Sequence, residues 1–161
     1  MNRRTTLMGI ALLSFVACSF PQASFAQSSP LIGTWKLNLE KSKFTPGTAP
    51  RSQTATFQQD GQNIKNTNQT IDAQGNATTT VFLHIYDGQP HPTTGNPLYD
   101  SSAYLRLDGN TIVLSRSKGG KLIQIGTIVV SQDGKSRTNT ASGILGPNGL
   151  AGTTVSFYDK Q

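Results

Sequence analysis

A chain of 161 residues with one cysteine cannot close a disulfide within itself or build a cysteine-ligated zinc site. Its formal charge of +6 comes from 14 Lys and Arg against 8 Asp and Glu. Beyond Arg3-Arg4 the cations stand singly, without the basic block or the interleaved aromatics that nucleic-acid binding requires, so the charge reads as a solvated surface and no nucleic-acid partner is expected.

The chain opens Met1-Asn2-Arg3-Arg4, and an apolar run follows from Leu7 to Ala17. That run is too short to cross about 30 Å of hydrocarbon as a permanent helix, but it suits the apolar stretch of a signal peptide. Pro21 breaks the helix, and Ser24-Phe25-Ala26 places small residues where a signal peptidase reads. Residues 1–26 are therefore expected to be a cleaved signal peptide. The cut falls between Ala26 and Gln27, and residues 27–161 form one domain in the periplasm or outside the cell. The alternative is a lipid anchor: Cys18 follows Phe15-Val16-Ala17, which is similar to a lipobox with Phe in place of its usual Leu. No transmembrane segment is expected in the mature chain.

From residue 33 onward, Gly recurs in tight-turn dipeptides. They are Asp60-Gly61, Gly75-Asn76, Asp87-Gly88, Asp108-Gly109, Gly119-Gly120, Asp133-Gly134 and Asn148-Gly149. Glycine accepts positive φ without steric cost, and Asp or Asn tolerates it better than most residues. The segments between are rich in Thr, Val, Ile and aromatics, the residues of strands. They predict strands near 33–39, 51–59, 62–72, 77–86, 102–107, 110–117, 121–131, 135–143 and 151–158. Residues 41–44 allow at most one helical turn. Val81, Leu83 and Ile85 share one strand face, with Phe82, His84 and Tyr86 on the other; Val155 and Phe157 alternate with Thr154, Ser156 and Tyr158.

The expected fold is all-β: an antiparallel up-and-down meander of eight or nine strands closing into a barrel, with a two-sheet β-sandwich as the alternative. The strands at 62–72 and 135–143 carry few apolar residues. Either they wrap a solvated stretch, or their inward faces make a polar cavity.

Gly33-Thr34-Trp35-Lys36-Leu37-Asn38 resembles the Gly-x-Trp opening of lipocalin-type barrels. Three further blocks extend the likeness over most of the mature chain. The first runs from this opening through Ser42-Lys43-Phe44 and Pro46-Gly47. The second joins Tyr86-Asp87-Gly88 to Pro92-Thr93-Thr94-Gly95-Asn96-Pro97. The third pairs Val130-Ser131-Gln132-Asp133-Gly134-Lys135 with the ending Tyr158-Asp159-Lys160-Gln161. With these the chain is similar to a group of exported, uncharacterised bacterial lipocalin-like (calycin-type) proteins. The resemblance implies structural roles for Gly33, which lets the chain cross beneath the barrel, and for Trp35, which closes its base. The chain departs from typical lipocalins in ending almost at its final strand. It departs from fatty-acid-binding relatives in having too little length at 40–50 for two helices.

Chemistry-bearing residues are sparse. His84 and His91 with Asp87 between them make at best a partial metal set, and no metal or cofactor is expected. No Gly-x-Ser-x-Gly elbow occurs, and the carboxylates Glu40, Asp87 and Asp100 sit in no informative context, so the protein is not expected to be an enzyme. The segment from Gln89 to Ser102, stiffened by Pro90, Pro92 and Pro97, reads as a lid or recognition surface or as a plain cover. Phe82, His84, Tyr86 and His91, on the strand leading into that loop and within it, are the candidate ligand contacts. The expectation is a binding module for a small apolar or amphipathic ligand; the alternative is a filled barrel acting through its surface in the cell envelope.

Overall fold

A period of two puts every second side chain of a strand on the same face. In the computed structural model, which describes residues 29–45, 47–145 and 149–161, ten such strands join in one antiparallel sheet. They are β1 (Gly33–Thr45), β2 (Ser52–Asp60), β3 (Asn63–Ile71), β4 (Ala77–His84), β5 (His91–Pro92), β6 (Ser101–Arg106), β7 (Thr111–Lys118), β8 (Lys121–Val130), β9 (Ser136–Ile144) and β10 (Ala151–Lys160). No helix occurs among the described residues. The expected signal peptide at residues 1–26, with Cys18 and the Ala26–Gln27 junction, lies outside them, as does Asn148.

The spatial order is β4-β3-β2-β1-β10-β9-β8-β7-β6-β5, so the first long strand pairs with the last and the sheet wraps into a nearly closed barrel. This single continuous sheet replaces the sandwich alternative. The remaining seam lies between β4 and β5. There Val81 and Thr94 exchange two backbone hydrogen bonds, at 3.0 and 3.2 Å, and bridge the gap. Gly95 makes that approach feasible: its φ is +78°, and a Cβ there would stand 1.9 Å from the Thr79 carbonyl oxygen.

Two elements differ from the expectation. The additional strand, β5, is two residues long, and its Pro92 cannot donate to a ladder, which confines it to a sheet edge. Residues 41–45 are strand rather than a helical turn. The β1–β10 register shifts between Asn38 and Lys43, and Ser42 fills the break: its hydroxyl donates to the Asn38 carbonyl at 2.6 Å and accepts the Phe157 N–H at 2.9 Å.

One end of the barrel is filled. Trp35, Ala55, Phe57, Ile64, Phe82 and Tyr104 point inward from five neighbouring or facing strands, together with Ile112, Leu114, Ile128 and Val130. Leu31 plugs the base from below, and its carbonyl accepts the Trp35 indole N–H at 2.7 Å. Lys160 lies 5.0 Å over the Trp35 ring and donates to the Pro30 carbonyl at 3.3 Å. Gly33 leaves room for that lysine, since a Cβ at 33 would meet its Cε at 2.9 Å.

Candidate ligand-binding cavity

The inward positions continue from the packed base toward the other end, and there their character changes. Gln53 follows Phe57 and Ala55 along β2; Asn68 and Thr70 follow Ile64 and Asn66 along β3; Thr78 and Thr80 precede Phe82 and His84 along β4. Arg116 lies beyond Leu114 on β7, Gln124 before Ile128 on β8, Asn139 beyond Arg137 on β9 and Ser156 before Tyr158 on β10. These shorter or polar side chains do not fill the space between them. They enclose a cavity of about 560 Å³, within the range that holds drug-sized molecules. Apolar groups gather at its mouth: Phe44 and Pro50, Pro97 and Leu98, Leu145 and Leu150, all in or beside the connections at the open end.

The polar strands at 62–72 and 135–143 thus supply cavity walls through Asn68, Thr70, Asn139 and Ala141. The Gln89–Ser102 segment supplies wall as well as seam. Asn96, Pro97, Leu98 and Tyr99 face the cavity, and Tyr99 stacks on Phe82 with centroids 6.0 Å apart. The segment is pinned to the barrel. Asn96 Nδ2 donates to Thr80 Oγ1 at 3.3 Å, and the buried hydroxyls of Thr93 and Ser102 meet at 2.9 Å.

Two arginines sit at and under the floor, which corrects the reading of the cations as uniformly surface groups. The Arg116 guanidinium lies 4.7 Å from the Tyr99 ring and 5.4 Å from the Phe82 ring, and donates to Gln124 Oε1. Arg137 is 2% exposed, one layer deeper, 3.8 Å over the Tyr158 ring and 5.1 Å from Phe57, and donates to Asn139 Oδ1 at 2.7 Å. The Nε atoms of both arginines are buried without a partner. Burial lowers the Arg137 pKa from 12.5 to about 10, so it stays a cation at neutral pH. Burial raises the Tyr158 hydroxyl, which stays protonated and donates to Gln53 Oε1. Among the described residues the ion pairs are Lys41–Asp159 and His91–Asp87, and neither involves these arginines.

The sequence-derived candidates fall in different places. Phe82 is buried directly beneath Tyr99. His84 is fully buried in the packed base, stacked on Tyr104 at 3.8 Å with Phe57 and Tyr86 edge-on to it. Burial first, then the charges of Arg137, Arg116 and Arg106, push its pKa from 6.5 to about 3, and neither ring nitrogen has a partner. Tyr86 has left the strand with φ +64°, its ring 4.4 Å beneath the Arg106 guanidinium. His91 is half-buried on β5, 2.9 Å from Asp87, whereas His84 lies in the packed base, so the two histidines are not brought to one point. No group of three metal-ligating side chains occurs among the described residues. Asp87 is taken up by the Gln89 N–H and His91, and Asp100 by the Gly119 N–H at 3.0 Å. The residues that the sequence reading passed over are Arg116, Gln124, Gln53 and Asn139. Their one signal was a polar side chain at an inward-phase position of an otherwise convincing strand.

No protein-family model matches the chain, and no match is found among curated proteins. Among solved structures, a mutant of the REP1-NXSQ fatty acid transporter matches with a TM-score of 0.50 and 17% identity, over 83% of this chain and 100% of that one. Zebrafish ileal bile acid-binding protein complexed with cholic acid matches with a TM-score of 0.49 and 15% identity, over the same shares. At such identities the likeness is one of fold. The architecture is that of a lipocalin-like β-barrel, filled at one end and open at the other.

Proposed function

We propose that this barrel binds a small amphipathic molecule in its open half. The observation that carries the reading is the division of the interior. A base packed with aromatics gives way to a cavity of about 560 Å³ in which Gln53, Asn68, Gln124 and Asn139 stand among Tyr99, Leu114 and Tyr158, with Phe44, Leu98, Leu145 and Leu150 among the residues toward its mouth. Closely packed interiors leave few voids larger than a water molecule, so an opening of this size in a small domain is a built feature. The open cavity favours this reading over a filled barrel acting only through its surface. The fold is one that a fatty acid transporter also uses, and the role proposed is carriage or capture, with no reaction assigned. Phe82 takes part as the support beneath Tyr99, and His84 as part of the packed base. The same proposal has the protein act outside the cytoplasm, in the periplasm or beyond, a reading supported by the signal-peptide-like pattern of residues 1–26. Native mass spectrometry of protein isolated from its own host tests it. The expected spectrum shows an additional small mass, lost on denaturation. A bare polypeptide mass, together with no uptake of added amphiphiles, contradicts it.

A further inference from the structure

We propose that the ligand is an anion, with its charged head seated on Arg116 at the cavity floor and its apolar tail directed toward the mouth. This rests on the binding role proposed above and adds the charge and orientation of what is bound.

Arg116 is a cation on the wall of an enclosed space, and nothing of opposite charge answers it. Its hydrogen-bonded neighbour is the neutral amide oxygen of Gln124, its Nε is buried with no partner, and it takes part in neither ion pair among the described residues. A guanidinium carries five N–H donors in a planar fork suited to a carboxylate, sulfate or phosphate. One amide oxygen leaves most of that fork open. The carboxylate that does line the cavity, Asp72, stands at the exposed β3–β4 turn and is engaged by Asn76 at 2.8 and 2.9 Å.

A second observation points the same way. Arg137 lies beneath the floor, almost wholly buried, with its own Nε unpartnered and a single neutral acceptor in Asn139. Two cations in a low-dielectric interior raise the potential at the cavity floor, and a buried uncompensated charge is costly. An incoming anion would lower that cost for both. At the opposite end Phe44, Pro97, Leu98, Leu145 and Leu150 supply apolar surface beside the polar Thr48, Asp72 and Gln74. An unanswered guanidinium at the floor, with apolar side chains toward the mouth, fits a head-inward amphiphile and disfavours a neutral one, which would leave the guanidinium without its partner.

The test is isothermal titration of the full mature protein with three twelve-carbon probes, dodecanoate and dodecyl sulfate below their micellar concentrations and dodecanol below its solubility limit. The expected result is that at least one anion binds about tenfold more tightly than the alcohol, since a charge-assisted bond is roughly twice as strong as a neutral one and a factor of ten is about 1.4 kcal/mol. The better of the two anions tells carboxylate from sulfur or phosphorus oxyanions. Arg116→Gln should lose about that tenfold for the anion and leave dodecanol unchanged, whereas Lys118→Gln, an exposed change on the same strand, should leave both unchanged. If dodecanol binds as tightly as the anions, the cavity still binds amphiphiles and the anion proposal is wrong. If none of the three binds, both readings fail. The comparison of probes on the unaltered protein holds even if the Arg116 variant does not fold.

Discussion

Replacing His84 with Phe should abolish a distinct part of the acid sensitivity of this fold. The imidazole is stacked on Tyr104 and enclosed by Phe57 and Tyr86, with its pKa pushed from 6.5 to about 3. The unfolded chain therefore binds a proton at His84 that the folded chain refuses. Stability rises with pH wherever the unfolded state holds more protons. The contribution is full above about pH 6.5 and is lost progressively as the pH falls from there toward 3. Each pH unit within that window is worth about 1.4 kcal/mol, and between pH 7 and 4.5 the loss comes to about 2.5 kcal/mol. Against a total of about 5–15 kcal/mol for a domain, that is a large share. Phe keeps the ring, cannot titrate, and removes two buried nitrogens that have no partner. Urea unfolding followed by Trp35 fluorescence at pH 7, 6, 5 and 4.5 gives both curves. The His84→Phe protein should match or exceed wild type at pH 7 and pull ahead by about 2.5 kcal/mol at pH 4.5. His91 and the carboxylates are common to both proteins, so the difference between the curves reports His84 alone. Parallel curves would refute the burial argument.

Trp35→Ala removes a fully buried indole, its bond to Leu31 and its contact with Lys160; it should cost about 3–5 kcal/mol and lower the melting temperature sharply, and iodide should quench Trp35 poorly in the folded protein. A near-normal melting temperature with free quenching would move Trp35 to an exposed mouth. Gly95→Ala should open the β4–β5 seam, because its Cβ would collide with the Thr79 carbonyl. Hydrogen exchange should then show lost protection at the Val81 and Thr94 amides while those of β7–β9 are kept; unchanged protection at both would show that the seam tolerates the side chain. The exported protein should begin at Gln27 by intact mass, and an acylated species beginning at Cys18 would replace that expectation with a lipid anchor.

The strands were legible because their punctuation was. Asp60-Gly61, Asp108-Gly109, Gly119-Gly120 and Asp133-Gly134 each join antiparallel neighbours. What alternation cannot reveal is which face points inward. On β10 the polar set Thr154, Ser156 and Tyr158 faces the interior, while Val155 and Phe157 face out, where Lys41 covers the Phe157 ring at 4.7 Å. That inversion follows from an interior that is half cavity: near the open end, an inward side chain has no apolar neighbour to meet. For the same reason Arg116 and Arg137 looked like two more surface cations, since one cation in a strand has no sequence mark of burial. β5 escaped notice because two residues have no period. The break in β1 escaped because it depends on Ser42 meeting Phe157, 115 residues away.

The central claim is that the polar upper half of the barrel takes up an amphipathic ligand. It is tested most directly by a ¹H–¹⁵N correlation titration of the mature protein with dodecanoate below its micellar concentration. The account predicts saturable shifts confined to the cavity walls, at Gln53, Asn68, Thr80, Gln124, Asn139 and Ser156, with the base around Trp35 and Ile128 undisturbed. Shifts centred instead on the exposed Leu105, Ile125 and Val129 of the outer surface, or no saturable shift at all, would contradict it.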